Sequence, residues 1–314
     1  MTTNQVIKTT TLTKYYGKHT GIKNLNLTVN KGEIFGFLGP NGAGKTTTIR
    51  ILLDLIRATS GNATVFGLDT LLDSQKIKSH LAYLPGELGF PRNWTAKRTI
   101  KYMLSLYDHT IKWNKVNELA SHLNLDLEKK VHELSKGNKQ KIGIILTLVP
   151  RVDLLILDEP TSGLDPLIKN EFYKLLAEKQ AKDNSTVFLS SHQLEEVEKV
   201  AHHVGIINRG SLVEVSTLAE LKNLAFKHVE VTLSSPTDAK KLPQQLTKNV
   251  KNLEIQNSSL SFLCSRDSLD EVLTWLHNVS YRDINIRNST LEDIFLEYYD
   301  MSTYENHRNK MEAD

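Results

Sequence analysis

The sequence predicts an α/β core built around a parallel sheet, followed by a smaller α+β domain. Residues 153–157 (DLLIL) and 186–190 (TVFLS) are apolar, β-rich and bounded by polar turns, the character of strands buried on both faces of a sheet. Strand-like runs alternate with helix-patterned segments, which implies right-handed crossovers between parallel strands. Near residue 215 the texture changes to a second series of short strands and helices.

Taken in order, residues 21–30 (GIKNLNLTVN) alternate apolar and polar side chains, as a half-buried strand does. Residues 33–38 (EIFGFL) form a compact apolar run that stops at a glycine-rich turn, and the turn opens a helix over 45–56. A polar turn at Thr59-Ser60-Gly61-Asn62 precedes a strand at 63–66. The stretch 95–134 reads as mostly helical, with apolar residues at helical spacing over 99–107 and 113–123. A linker helix is expected at 217–226. Then come a strand (228–234), a helix (239–248), two strands (252–256, 260–264), a helix (269–277) and a strand (282–286). That βαββαβ order is the ferredoxin-like arrangement. A last helix starts at Ser289, where Ser289-Thr290-Leu291-Glu292 has the capping-box pattern. The expected domains are 1–216, with a helical subdomain at about 86–140, then 217–300 and a polar, flexible tail at 301–314.

The bulk numbers narrow the function classes. With 39% hydrophobic and 24% charged residues, the composition suits a globular protein. The 39 basic and 36 acidic residues nearly balance, so no nucleic-acid partner is expected. Cys264 stands alone, which precludes an internal disulfide and fits a reducing compartment. Residues 1–11 are polar and lack the apolar centre of a signal peptide. The longest apolar stretch, 142–149, falls far short of the ~20 residues a membrane helix needs. Any membrane spanning is therefore expected from another chain.

Gly39-Pro40-Asn41-Gly42-Ala43-Gly44-Lys45-Thr46-Thr47 matches the phosphate-binding pattern G-x-x-x-x-G-K-[ST]. Glycines let the backbone curl until successive N–H groups face phosphate oxygens, and the following helix adds the positive end of its dipole. Lys45 can reach the β- and γ-phosphates of ATP, and the Thr46 hydroxyl can ligate Mg²⁺. The apolar run Leu154-Leu155-Ile156-Leu157 delivers Asp158 and Glu159 at its carboxyl end, where open α/β sheets place their ligand sites. Asp158 can hold Mg²⁺, and Glu159 can act as general base on the attacking water. Without the glycine loop, the same run would read equally well as a strand ending in a polar turn.

These motifs resemble the ATP-binding subunits of ABC transporters, over residues 6–215. Leu134-Ser135-Lys136-Gly137-Asn138-Lys139-Gln140-Lys141 is similar to the family signature, Leu-Ser-Gly-Gly-Gln. Ser162-Gly163-Leu164-Asp165 resembles the D-loop, His192 the switch histidine, and Tyr16 the aromatic that stacks on adenine. Singly, each has a plainer reading: a surface or capping histidine, a core tyrosine, a turn before a helix. Their order along the chain carries the resemblance. In the signature, Lys136 and Asn138 replace a glycine and a glutamine, while Gly137 is kept. In Tyr83-Leu84-Pro85-Gly86-Glu87, the glutamine that in the family touches Mg²⁺ and couples to the membrane subunit is missing. Ser289-Thr290-Leu291-Glu292-Asp293-Ile294-Phe295 resembles the end of an accessory domain on ATPases of drug and peptide-antibiotic exporters.

The resemblance implies a P-loop NTPase of ABC type with ATP and Mg²⁺ as ligands. It places ATP between the P-loop of one copy and Ser135 and Gly137 of another, so a homodimer or a pairing with a related ATPase is expected. It implies an integral membrane permease as partner, attachment at the cytoplasmic face of the membrane, and export as the direction. The alternative is a soluble ABC ATPase acting on ribosomes or DNA. Such proteins usually carry two ATPase domains or a long coiled-coil insertion, which this sequence does not show. A P-loop kinase would leave Ser135, Gly137 and His192 without a purpose.

Overall fold

A computed structural model describes residues 4–107, 111–223, 226–234, 250–265 and 268–288. The chain divides into two compact units at Ser216 and Thr217, and each stands as a fold of its own.

The first unit opens with an antiparallel sheet. Strand β1 (Gln5–Tyr16) is flanked by β2 (His19–Leu25) and pairs also with β3 (Thr28–Asn30). The alternating stretch 21–30 is therefore two strands rather than one. Asn24 adopts a left-handed φ of 48°, and the Thr9 hydroxyl donates to Leu25 O (2.8 Å) and accepts from Leu27 N (2.9 Å). That side chain satisfies the backbone where the ladder is interrupted. β1 itself gave no signal in the sequence. Its buried positions include Thr9 and Thr13, so apolar alternation is diluted.

β4 (Ile34–Leu38) leads into α1 (Lys45–Leu52). The expected helix over 45–56 stops early because Asp54 turns to φ 51°, and the N–H groups of Leu55 and Ile56 bond back to Arg50 O. β5 (Ser60–Val65) starts three residues earlier than expected, and Phe66 leaves it with φ 56°. β6 (Leu68–Asp69), α2 (Ser74–Lys78) and β7 (Leu81–Leu84) follow. The helical stretch holds α3 (Ala96–Leu104) and α4 (Trp113–His122), then α5 (Lys136–Leu148). α3 is capped by Thr95, whose hydroxyl accepts from Arg98 N at 3.1 Å.

The rest of the unit is β8 (Leu154–Asp158), α6 (Pro166–Asp183), β9 (Thr186–Ser191), α7 (Leu194–Glu198), β10 (His203–Asn208) and β11 (Ser211–Thr217). The second sheet runs β11-β10-β4-β9-β8-β7, parallel from β10 to β7. Every residue of β4, β8 and β9 is buried, as the apolar runs predicted for strands covered on both faces. Phe188 on β9 stacks on Phe35 at 5.9 Å and tilts against Phe37 at 5.3 Å, both on neighbouring β4. The carboxyl ends of β4, β8 and β9 thus lie side by side, and the glycine-rich turn, Asp158-Glu159 and His192 stand at them in turn.

The second unit holds α8 (Leu218–Asn223) and a sheet of β12 (Lys227–Leu233), β13 (Val250–Gln256), β14 (Ser259–Cys264) and β15 (Tyr281–Asn288), with α9 (Leu269–His277) between the last two. The order β13-β14-β12-β15 is antiparallel throughout, the ferredoxin-like arrangement. Val229, Val231, Phe262, Val272 and Trp275 form its core. The expected helix at 239–248, the helix from Ser289 and the tail at 301–314 lie outside the described residues. Among the described residues no helix is long and apolar enough to cross a membrane.

Phe188→Ala should destabilise the first unit by about 3–5 kcal/mol, because the cavity opens between two strands that cannot close over it. In a Trp275→Phe background, Trp94 and Trp113 report guanidinium unfolding of that unit alone. A loss below about 1 kcal/mol would show that the phenyl stack does not support the sheet.

Candidate active site

The glycine-rich turn joins the carboxyl end of β4 to α1. Gly39 N donates to Ser191 O at 3.2 Å, which ties the start of the turn to β9. Gly44 is the N-cap of α1, with φ 111°, and no side chain caps the helix. A Cβ at Gly44 would lie 2.6 Å from Gly21 O, so only glycine fits between the turn and the β1–β2 hairpin. The uncapped end leaves its amides and dipole free for an anion. Pro40, Asn41, Gly42, Ala43 and Thr47 complete the turn and the first helical residues; Asn41 and Gly42 are exposed.

Lys45 is 5% exposed and folds back over the turn. Its Nζ donates to Gly39 O at 2.6 Å and Pro40 O at 3.1 Å, and lies 3.2 Å from Glu159 Oε1. The next residue faces the other carboxylate: Thr46 Oγ1 donates to Asp158 Oδ2 at 2.9 Å. Asp158 Oδ1 accepts from Ser190 Oγ at 2.6 Å. Thr46 and Asp158 therefore present hydroxyl and carboxylate oxygens together, a donor set suited to Mg²⁺.

Glu159 leaves the end of β8 with φ 49°, a left-handed conformation uncommon outside glycine. Its N–H is held by Ser190 O and Oγ, both at 3.2 Å. The turn directs the Glu159 side chain to His192, whose Nδ1 sits 2.6 Å from Glu159 Oε2. Lys45, Glu159 and His192 form one continuous chain of polar contacts. Tyr83 on β7 lies near the same strand end. Burial first, and then the Asp158 carboxylate, push its hydroxyl up to about 12, so it stays protonated there.

The remaining sequence candidates are arranged differently. Tyr16 is 46% exposed at the tip of β1, with Lys14 Nζ 5.2 Å from its ring centre, so it is not a core residue. Ser135 is exposed and caps α5, accepting from Asn138 N at 3.2 Å. Gly137 presses on the carbonyl of Gly163, so closely that a Cβ would overlap that oxygen. Gly86 passes beside Asp158, its would-be Cβ 3.4 Å from Asp158 O, whereas Glu87 is exposed. Sequence reading missed Ser190, which holds both Asp158 and the Glu159 amide. It missed Gln140 too, whose Nε2 donates to Pro160 O at 2.9 Å and ties α5 to the end of β8. Gln140 stood in the signature stretch, but Ser190 had no signal beyond an apolar strand.

The family described as ABC transporter matches residues 22–162. The bacitracin transport ATP-binding protein of Bacillus licheniformis is 36% identical over 93% of this chain and 96% of its own length. Its namesake in Enterococcus faecalis is 31% identical over 92% and 95%. The linearmycin resistance ATP-binding protein of Bacillus subtilis is 29% identical over 90% and 94%. Among solved structures, an ATP-binding subunit of an ABC transporter has a TM-score of 0.62 at 24% identity, over 69% of this chain and 92% of that one. A dimeric ATP-binding cassette bound to ADP and Pi after hydrolysis has 0.61 at 21%, over 68% and 98%.

Lys45→Ala removes a cation that contacts both the turn and Glu159. Tight ATP binding should be lost, measured by fluorescent-nucleotide titration. Hydrolysis at the parent rate in this variant would remove the turn from the active site.

Proposed function

This chain belongs to the ABC transporter family as an ATP-binding, ATP-hydrolysing subunit that powers a membrane transporter, and on that premise we propose that it drives an exporter of the drug or peptide-antibiotic type. The observation that carries the assignment of roles is the contact chain Lys45–Glu159–His192 beside the Thr46–Asp158 pair. ATP phosphates lie against the amides of the turn from Gly39 to Thr47, and Lys45 exchanges its carbonyl partners for the β- and γ-phosphates. Tyr16 stacks on the adenine. Thr46 and Asp158 would hold Mg²⁺, which neutralises developing phosphate charge.

In hydrolysis a water oxygen attacks the γ-phosphorus and the bond to the ADP oxygen breaks. Glu159 takes the water proton, and His192 holds Glu159 in place through Nδ1 while its own position beside the γ-phosphate stabilises the transferred group. Ser135 and the Gly137 amide complete the site of a second ATPase subunit facing this one, either a copy or a relative. ATP bridges the pair and hydrolysis parts it, a two-state element biased by ligand.

The partner on the membrane side is an integral permease, and the chain works at the cytoplasmic face. A groove of about 480 Å³ lies beside Gly86-Glu87, lined by Tyr83, Leu88, Phe90, Met103 and Leu106 among others. It offers apolar surface for a permease segment beside the helical region 86–132. Similarity to bacitracin and linearmycin systems supports export of a bulky antibiotic-like compound.

Glu159→Gln should retain ATP binding and slow hydrolysis by ~10²–10⁴-fold. ATP should then trap a dimer on size exclusion, and adding Ser135→Arg should abolish it. A Glu159→Gln protein that stays monomeric at saturating ATP, with and without permease, contradicts the facing-pair arrangement. Glu87→Gln separates two roles. Exposed and one position past Gly86, Glu87 is expected to serve coupling: basal hydrolysis and its Mg²⁺ requirement stay unchanged, and only permease stimulation falls. A raised Mg²⁺ requirement in the isolated subunit would instead make Glu87 a metal ligand.

A further inference from the structure

Behind the catalytic loops lies a carboxylate to which the ATP site gives no task. Glu196, on α7, is 5% exposed. Its Oε1 accepts from Thr161 Oγ1 and from Lys169 Nζ, each at 2.8 Å, and its Oε2 accepts from Ser191 Oγ at 2.9 Å. Burial opposes its charge, but hydrogen bonds from Lys169, Thr161 and Ser191, with the Lys169 charge, hold the carboxyl below its ordinary range.

The three donors come from three different segments. Thr161 stands two residues after Glu159, and Ser191 immediately precedes His192. Lys169 lies in the opening of α6, where its N–H bonds Asp165 O at 2.9 Å and so fixes it to the loop 162–165. Lys169 Nζ also reaches Gln193 Oε1 at 3.3 Å, and Gln193 Nε2 lies 3.4 Å from His192 Nε2. One buried anion therefore fastens the segment after the general base, the segment before the switch histidine and the helix that follows the 162–165 loop. Charge-assisted bonds of this kind are roughly twice as strong as neutral ones, and a misplacement of about 1 Å can cost ~10²-fold in rate.

We propose that Glu196 is a positioning residue for hydrolysis: it sets the spacing between Glu159 and His192, and it carries displacement of the 162–165 loop to His192. The inference rests on the roles assigned above to Glu159 and His192. Thr161 and Ser191 hydroxyls can donate or accept, but Lys169 can only donate. Glu196→Gln therefore keeps the shape and both hydroxyl contacts while it weakens the tie to Lys169 and the loop.

The test uses the full chain, with kcat, ATP affinity and thermal unfolding measured for Glu196→Gln, Lys169→Met, His192→Ala and the doubles with His192→Ala. Glu196→Gln should lower kcat by about 10–10²-fold, with ATP affinity within about twofold. Lys169→Met should lower it in the same sense. On the His192→Ala background neither change should cost more than about twofold, because both act through that histidine. A residue that merely stabilises the fold would give multiplicative losses, and that result overturns the proposal. So does a parent kcat in Glu196→Gln, or in Lys169→Met should Glu196→Gln fail to fold. If His192→Ala itself hydrolyses at the parent rate, the role given to His192 falls instead.

Discussion

The site depends on how β8 ends. Neighbouring residues of a strand point to opposite faces, so two adjacent carboxylates would not ordinarily serve one centre. The left-handed φ of Glu159 breaks that rule. Asp158 keeps the strand's direction and meets Thr46 and Ser190, while Glu159 turns to Lys45 and His192. Such a conformation costs of order 1–3 kcal/mol and persists only where the surroundings over-determine it. Here Ser190 grips the Glu159 amide from β9, and Gln140 grips Pro160 from α5. The sheet supplies the rigidity, and the strained residue sends the two carboxylates to different partners, the separation on which the proposed metal and base roles rest.

Charge balance follows from the same geometry. Lys45 is almost fully buried, and a buried ion without a partner typically costs 3–5 kcal/mol. The carbonyls of Gly39 and Pro40 and the carboxylate of Glu159 offset that cost. On the roles proposed above, an incoming triphosphate would compete for the same ammonium group, withdrawing a cation from Glu159 and leaving it with His192 as its close partner.

The glycine turn, Asp158 and Glu159 were legible in the sequence because each is a contiguous run whose chemistry is local. The fully buried strands were legible for the same reason. The alternating stretch 21–30 was misread because one threonine hydroxyl, on β1, bridges a break that no local pattern records. β1 escaped because its threonines fill buried positions by bonding, not by being apolar. Ser190 and Glu196 escaped because the partners that tie them to the end of β8, Asp158 and Thr161, lie 32 and 35 residues away. In Glu195-Glu196, one glutamate looks like the other until the fold buries the second.

Gly137 and Gly163 meet so closely that the signature turn and the 162–165 loop share one steric boundary. No side chain can be inserted at 137 without driving the Gly163 carbonyl out of place. Positions 136 and 138 are under no such restriction; the Lys136 side chain simply runs alongside Gly163. This explains where the chain departs from the family's Leu-Ser-Gly-Gly-Gln. Lysine and asparagine stand in place of the first glycine and the glutamine, and the second glycine is kept as Gly137. Side-chain variety on this surface is thus sterically confined to the positions flanking 137, where a lysine changes the charge of the face without moving the backbone.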